Sequence, residues 1–399
     1  MAKPSTIVQQ KQCVPNMWVW LFLTVLPLIV QGPQQPHFDF SKAGSGFYGP
    51  GRELPDPVGL TSVRIGLLGP AKDAEGLQMR TGVRMALDEM NRRGGYKGIP
   101  YEIVFRPDDG PWGTAAKQVV DLAYEDKVWT IIGGLDGQRT HIAELVVSKA
   151  WVPVVTPSAA DMSIDYANVP WVFRCGPADS HEAELLLDFV QKKGHKHVVA
   201  LTEAQRDGHT GFLRLQEAAG RKNIHLDAHW QFPTGNPEAV VPRLLGIDSD
   251  ALIIWGSPGP SLTLLRAIRA AGIKTPVLGP ASLASAEITA DSSWIGELVV
   301  AAPYDLSRHD PDLLAFSVRF KDLTGMPPTP IALLSYDAAL LVTKAVATAG
   351  LNRMRIRDEL ARMSYDGIVG KTQFNSLRGS IREPVILSFR NGRWERLNN

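Results

Sequence analysis

The chain has 399 residues, of which 44% are hydrophobic and 21% charged, and its formal net charge is +1. That composition supplies ample core for a globular protein of two or three domains. With no basic block and no interleaving of aromatic and basic residues, it argues against nucleic acid as a partner.

The chain opens with Met17–Val30 (MWVWLFLTVLPLIV), an apolar run behind Lys3 and Lys11. It is shorter than the roughly 20 residues of a comfortable membrane span and has the layout of a secretory leader. Val30-Gln31-Gly32-Pro33 is a poor cleavage site, so residues 1–32 read as a signal peptide or a retained N-terminal anchor. Export is implied by either reading. A buried helix is the plainer alternative. Residues 33–60, rich in Pro and Gly, read as a linker. Its aromatic residues Phe38, Phe40, Phe47 and Tyr48 could dock on the first globular lobe. Once a leader is lost, Cys175 is the one remaining cysteine, so no intrachain disulfide is expected.

From Val63 the pattern alternates between strand and helix. Val63–Leu68, Tyr101–Arg106, Val128–Ile132 and Val152–Thr156 read as strands. Gln78–Arg93, Ala115–Glu125 and Thr140–Ala150 read as the intervening helices. After a short strand at Pro170–Arg174 and the break Cys175-Gly176-Pro177, a second strand–helix series starts afresh. Its first helix begins near Asp179, with Glu182 placed as a capping partner. The strands of this series are His197–Leu201, His225–Gln231, Ala251–Trp255, Thr275–Leu278 and Val299–Pro303. Between them lie helices Gly211–Gly220, Pro237–Leu245 and Ser261–Ala271. Helices Pro311–Thr324, Ile331–Ala349 and Arg355–Met363 come next, and the tail alternates as hairpins around Asn375 and Asn391-Gly392. Such alternation predicts doubly wound parallel sheets, which bind ligands at the carboxyl ends of their strands.

The loops there carry the candidate residues. Asp136-Gly137-Gln138-Arg139 comes after the third strand, where backbone N–H groups at a helix start form a ready anion site. Asp136 is either a ligand contact or the cap of the next helix. Arg139 either holds an anion or lies on the solvated surface. Thr156, Ser158 and Ala159 lie in a small-residue turn, while Trp112 and Trp255 either line a cleft or pack in a core. The chain lacks a Gly-x-Ser-x-Gly elbow and a Gly-x-Gly-x-x-Gly loop, and its histidines, read as surface groups, lack metal-ligand spacing. No cofactor and no catalytic residue is expected.

Several segments together resemble one family. Thr81–Gly98 (TGVRMALDEMNRRGGYKG), Tyr101–Asp109, Ile131–Thr140, Val152–Ala159, Leu264–Pro280 and Phe320–Ala339 carry the likeness in the right order, with Gly370–Gly379 closing it. They resemble the type I periplasmic binding proteins of the leucine/isoleucine/valine-binding branch, which serve ABC transporters. The resemblance implies two α/β lobes with doubly wound parallel sheets, joined by a three-strand hinge. Lobe 1 is placed at 61–175 and 303–364, and lobe 2 at 176–302 and 365–399. It also implies a non-enzymatic, exported protein that hands a small organic solute (amino acid-like, carboxylate or aromatic acid) to a membrane permease. The alternative is a membrane-anchored ligand-sensing module of a receptor system. The family's ligand site carries over in part. Gly137 stands where a Ser hydroxyl usually meets the α-carboxylate, and Asp207 where a Tyr precedes Gly208. Ser257 replaces an aromatic, and Ala281 replaces the Glu that pairs with the α-ammonium. Leucine, isoleucine and valine are therefore expected to bind weakly unless Asp207, Asp136 or Glu75 substitutes for that Glu.

Overall fold

The computed structural model describes residues 48–110, 112–291 and 296–397, the side chains of Trp112 and Gly113 excepted. Met17–Val30, Phe38, Phe40 and Phe47 lie outside the described residues.

Short apolar runs build the first sheet from β1 (Val63–Gly69), β2 (Tyr101–Pro107), β3 (Thr130–Gly133), β4 (Val154–Thr156) and β5 (Val172–Arg174). These pair in parallel in the order β2-β1-β3-β4-β5. Helices α1 (Ala74–Arg92), α2 (Trp112–Val120), α3 (Gly137–Ala150) and α4 (Ser163–Ala167) alternate with them. The central strands are buried on both faces, which is why they read as continuous apolar runs.

The second sheet repeats the plan with β6 (Val198–Glu203), β7 (Leu226–Phe232), β8 (Ala251–Trp255), β9 (Val277–Pro280) and β10 (Leu298–Ala302). Its helices are α5 (Asp179–Lys193), α6 (Arg206–Lys222), α7 (Val241–Leu244), α8 (Pro258–Ala270) and α9 (Ala286–Ala290). The parallel order is β7-β6-β8-β9-β10. The chain then supplies α10 (Pro311–Thr324), α11 (Pro330–Ala349) and α12 (Arg353–Arg362), and α11 lies against α1 of the first lobe. The contact is close at Gly82, where a Cβ would sit 2.2 Å from the carbonyl oxygen of Ala332. A ribbon of β11 (Ser364–Gly367) and β12 (Gly370–Gln373) leads back, and antiparallel β13 (Val385–Arg390) and β14 (Arg393–Arg396) extend the second sheet beside β10.

The chain thus passes between the lobes three times: after β5, after β10 and through the β11–β12 ribbon. Buried polar contacts pin two of these crossings. Arg174 forks onto Asp165 at 2.9 and 2.6 Å and donates to the Gly176 carbonyl at 2.6 Å. Asp337 accepts the amides of Ile368 and Val369, both at 3.0 Å. Cys175 is buried between these supports, its thiol pushed up to about 12 by burial.

Some local expectations need correction. Helix α5 begins one residue earlier than a cap at Asp179 requires, so Ala178 is the N-cap and Asp179 and Glu182 form no capping pair. Helices α1 and α6 start four and five residues before the apolar periodicity does, because their first turns, Ala74–Leu77 and Arg206–Thr210, lack large apolar residues at helical spacing. The segment from Tyr48 to Leu60 is strapped to the first lobe rather than free: Asp56 accepts from Tyr96, Leu351 and Arg355, and Arg357 covers the Tyr48 ring. Two histidines leave the surface: His229 stacks on Phe212, and His141 joins a largely buried ionic network.

Candidate functional site

In each sheet the strand order reverses beside its first strand, between β1 and β3 and again between β6 and β8. Loops leaving such points diverge and open a crevice beyond the strand ends. The two crevices face each other and enclose a cavity of about 430 Å3, within the range of small-molecule sites.

From the first lobe, Asp136, Gln138, Arg139 and Ser158 line the cavity. Asp136 fills both of its candidate roles, a cavity wall and the N-cap of α3, accepting the Arg139 amide at 2.7 Å. Arg139 is half-buried at the cavity edge, and its guanidinium pairs with Asp136 and lies 3.3 Å from Asp108. Thr156 and Ala159 are fully buried and sit behind the wall. The Thr156 hydroxyl donates to the Gly134 carbonyl and accepts the Ala159 amide, so these two residues hold the turn from behind the cavity wall. Ser158 faces the cavity while its hydroxyl donates to the Leu135 carbonyl at 3.2 Å. Trp112 comes directly after Pro111, and its side chain lies outside the described residues.

From the second lobe come Asp207, Trp255, Ser257 and Ala281. Trp255 satisfies both of its readings: it is packed in the core, with Gly211 of α6 against its indole, and its remaining edge borders the cavity. Ser257 gives its amide and hydroxyl to Glu203 at 2.7 and 2.6 Å. Ala281 has no carboxyl, but one from another element lies beside it. Glu182 of α5 reaches the cavity and accepts the Ala281 amide at 3.3 Å.

The open anion cradle expected at Gly137–Arg139 is filled from within the protein. The Gly137 amide donates to Asp207 of the opposite lobe at 3.2 Å, and the Arg139 amide is taken by Asp136. Gly137 permits this approach, since a Cβ there would lie 2.5 Å from Asp161 and 2.9 Å from Asp207. Beside it, Arg206 crosses the cleft to Asp161 at 3.0 Å and to the Ser163 hydroxyl at 2.8 Å. The same Ser163 hydroxyl contacts His141, whose pKa is raised to about 9 by Asp161 and Glu144.

Burial raises several cavity carboxyls above their ordinary range. Glu75 and Glu182 reach about 8 and Asp108 and Asp207 about 7, with Arg139 opposing the rise at Asp108 and Asp136 adding to it at Asp207. Ser158 and Asp207 therefore share one gap, as do Asp136, Gln138, Arg139, Trp255, Ser257 and Ala281. Asp108, Thr329 and Arg206 also reach the cavity, although none stands out among the sequence candidates, and Glu182 reads there as a cap. Asp108 was within reach of sequence reasoning, because it lies directly after a strand end.

Comparison with known proteins places this geometry. A family model described as periplasmic binding protein matches residues 62–387. The chain is similar to the leucine-, isoleucine-, valine-, threonine-, and alanine-binding protein of Pseudomonas aeruginosa, 24% identical over 324 residues, covering 79% of this chain and 86% of that one. It is also similar to the Leu/Ile/Val-binding protein of Escherichia coli, 25% identical over 275 residues and covering 66% and 74%. Among solved structures, the branched-chain amino acid transporter substrate binding protein LivJ of Streptococcus pneumoniae, in complex with isoleucine, superposes with a TM-score of 0.75 at 22% identity, covering 84% of this chain and 98% of that one. A solute binding protein of an ABC transporter from R. palustris, in complex with benzoate, superposes with a TM-score of 0.76 at 18% identity, covering 84% and 96%.

Proposed function

The chain belongs to the periplasmic binding protein family, and on that footing we propose that it is an exported solute-binding protein of an ABC uptake transporter. It holds one small organic solute between its lobes and releases it to a membrane permease. The family is one of solute-binding proteins, and no bond is made or broken in this reading. The solute belongs to the small polar classes that relatives take, amino acid-like, carboxylate or aromatic acid. The protein works outside the cytoplasmic membrane, in the periplasm, with Met17–Val30 as leader or retained anchor.

The observation that carries the reading is the cavity of about 430 Å3 whose walls come from both lobes. A solute there touches the closed protein from two sides and the open protein from one. It therefore draws the population toward closure by the difference in contact energy, and release accompanies reopening. The polar crossings Arg206–Asp161 and Gly137–Asp207 would join only when the lobes are together.

A fluorescence-melt screen over amino acids, amines, aromatic acids, amides and sugars tests it. At least one class should raise the melting temperature in a saturable, concentration-dependent way. No stabilisation by any class, with folded protein confirmed by circular dichroism, would contradict the reading.

A further inference from the structure

We infer that the cavity selects a solute bearing an exposed cationic group, an ammonium, amidinium or guanidinium, and rejects solutes whose only charge is a carboxylate. This rests on the solute-binding reading above; of the solute classes named there it keeps the amine-bearing one, sets aside plain carboxylates and aromatic acids, and extends to other organic cations.

The first observation is the charge of the wall. Eight Asp and Glu side chains border the cavity among the described residues, against two guanidiniums, Arg139 and Arg206. The chain as a whole carries +1, so the acidity is local to this gap. Both guanidiniums are already engaged with acids of the protein, Arg139 with Asp136 and Asp108 and Arg206 with Asp161. Each guanidinium charge is thus already matched by at least one carboxylate of the protein.

The second observation is a set of buried polar atoms on the wall without hydrogen-bond partners. Asp108 is 3% exposed and ion-paired with Arg139 at 3.3 Å, yet neither of its carboxyl oxygens accepts a hydrogen bond among the described residues. Thr329, 7% exposed at the start of α11, has an unpartnered hydroxyl. Asp207 uses one oxygen on the Gly137 amide and leaves the other without a partner. Buried acceptors left this way are costly unless something donates to them. A cationic head group with several N–H donors satisfies carboxylate oxygens and neutralises the surplus charge in one step. A solute carboxylate brings further acceptors and, wherever a wall carboxyl is ionised, charge of the same sign.

The third observation is the closure of the anion site. The helix N-terminus of α3, the natural seat for a solute carboxylate, is occupied by the Asp207 carboxyl from the facing lobe. A solute acid would have to displace that residue and break an interlobe contact.

Matched probes separate these chemistries: benzamidine against benzoate, and isoamylamine against 4-methylpentanoate, with leucine as the zwitterion carrying both groups. Calorimetric titration of the full exported chain should show binding by benzamidine or isoamylamine and at least roughly tenfold weaker binding by the matching acid. Asp108→Asn should weaken the bound cation roughly 10- to 100-fold, the loss expected for one charged hydrogen bond. Asp207→Asn, which keeps an acceptor for the Gly137 amide, gives a second variant if Asp108→Asn fails to fold. Tighter binding of benzoate than of benzamidine, or of 4-methylpentanoate than of isoamylamine or leucine, overturns the cation class and leaves the solute-binding reading intact. Absence of binding by any of the probes overturns the inference; absence of stabilisation across the wider melt screen removes the reading beneath it as well.

Discussion

Glu75, Asp108, Glu182 and Asp207 hold their protons well above the usual carboxyl range because burial in the cleft disfavours their charge. Each folded pKa, about 7 or 8, exceeds an unfolded value near 4. Between those values the folded chain binds more protons than the unfolded one. Their contribution to stability is therefore complete below about pH 4 and is lost as pH rises through about 7 to 8. His141 acts in the same direction, its stabilisation complete below about 6.5 and lost as pH passes about 9. A bound cation favours the ionised carboxyls, so its binding expels protons. Benzamidine affinity is predicted to rise between about pH 6 and about pH 9, with proton release visible as buffer-dependent enthalpy in calorimetry. A flat profile with no released proton would mean that these carboxyls do not meet the solute.

At the scale of elements, backbone proximity sets tolerance. Gly82 lets α1 approach α11 so closely that an added methyl meets the Ala332 carbonyl at 2.2 Å. Gly82→Ala is predicted to cost about 1–3 kcal/mol in urea unfolding, the usual penalty for overfilling a tight contact. An unchanged midpoint would show that the helices part without strain. The same elements explain what the sequence disclosed. Buried parallel strands such as Val63–Gly69, apolar but for Arg64, and Ala251–Trp255, apolar throughout, stood out together with their order. Helix starts did not, because Arg206–Thr210 and Ala74–Leu77 are polar or small first turns without apolar periodicity. Those hidden turns are where the site lies. Asp136 and Ser158 were legible because each comes a few residues after a strand, and Asp207 because it stands where the resemblance places a Tyr before Gly208. Glu182 was not, since a carboxylate in a helix's first turn looks like a cap until the fold brings Ala281 beside it. Thr329, in a proline-rich stretch before α11, comes to the cavity through a tertiary contact between segments far apart in the chain.

For the whole molecule, two sheets whose parallel strands follow the same order set their switch points face to face and share one acidic gap. Nearly all the structure serves to bring residues from distant parts of the chain to that gap. The central claim is that solute sits there and nowhere else. The most direct measurement is calorimetric titration of the wild-type chain and of Ser158→Trp, using whichever solute of the melt screen stabilises the protein most. Ser158 borders the cavity, and an indole there fills space the solute needs while leaving both cores untouched. The account predicts one solute per wild-type chain and no measurable binding to the variant, whose melting without solute stays close to the wild type. Equal affinity in the two proteins would contradict it.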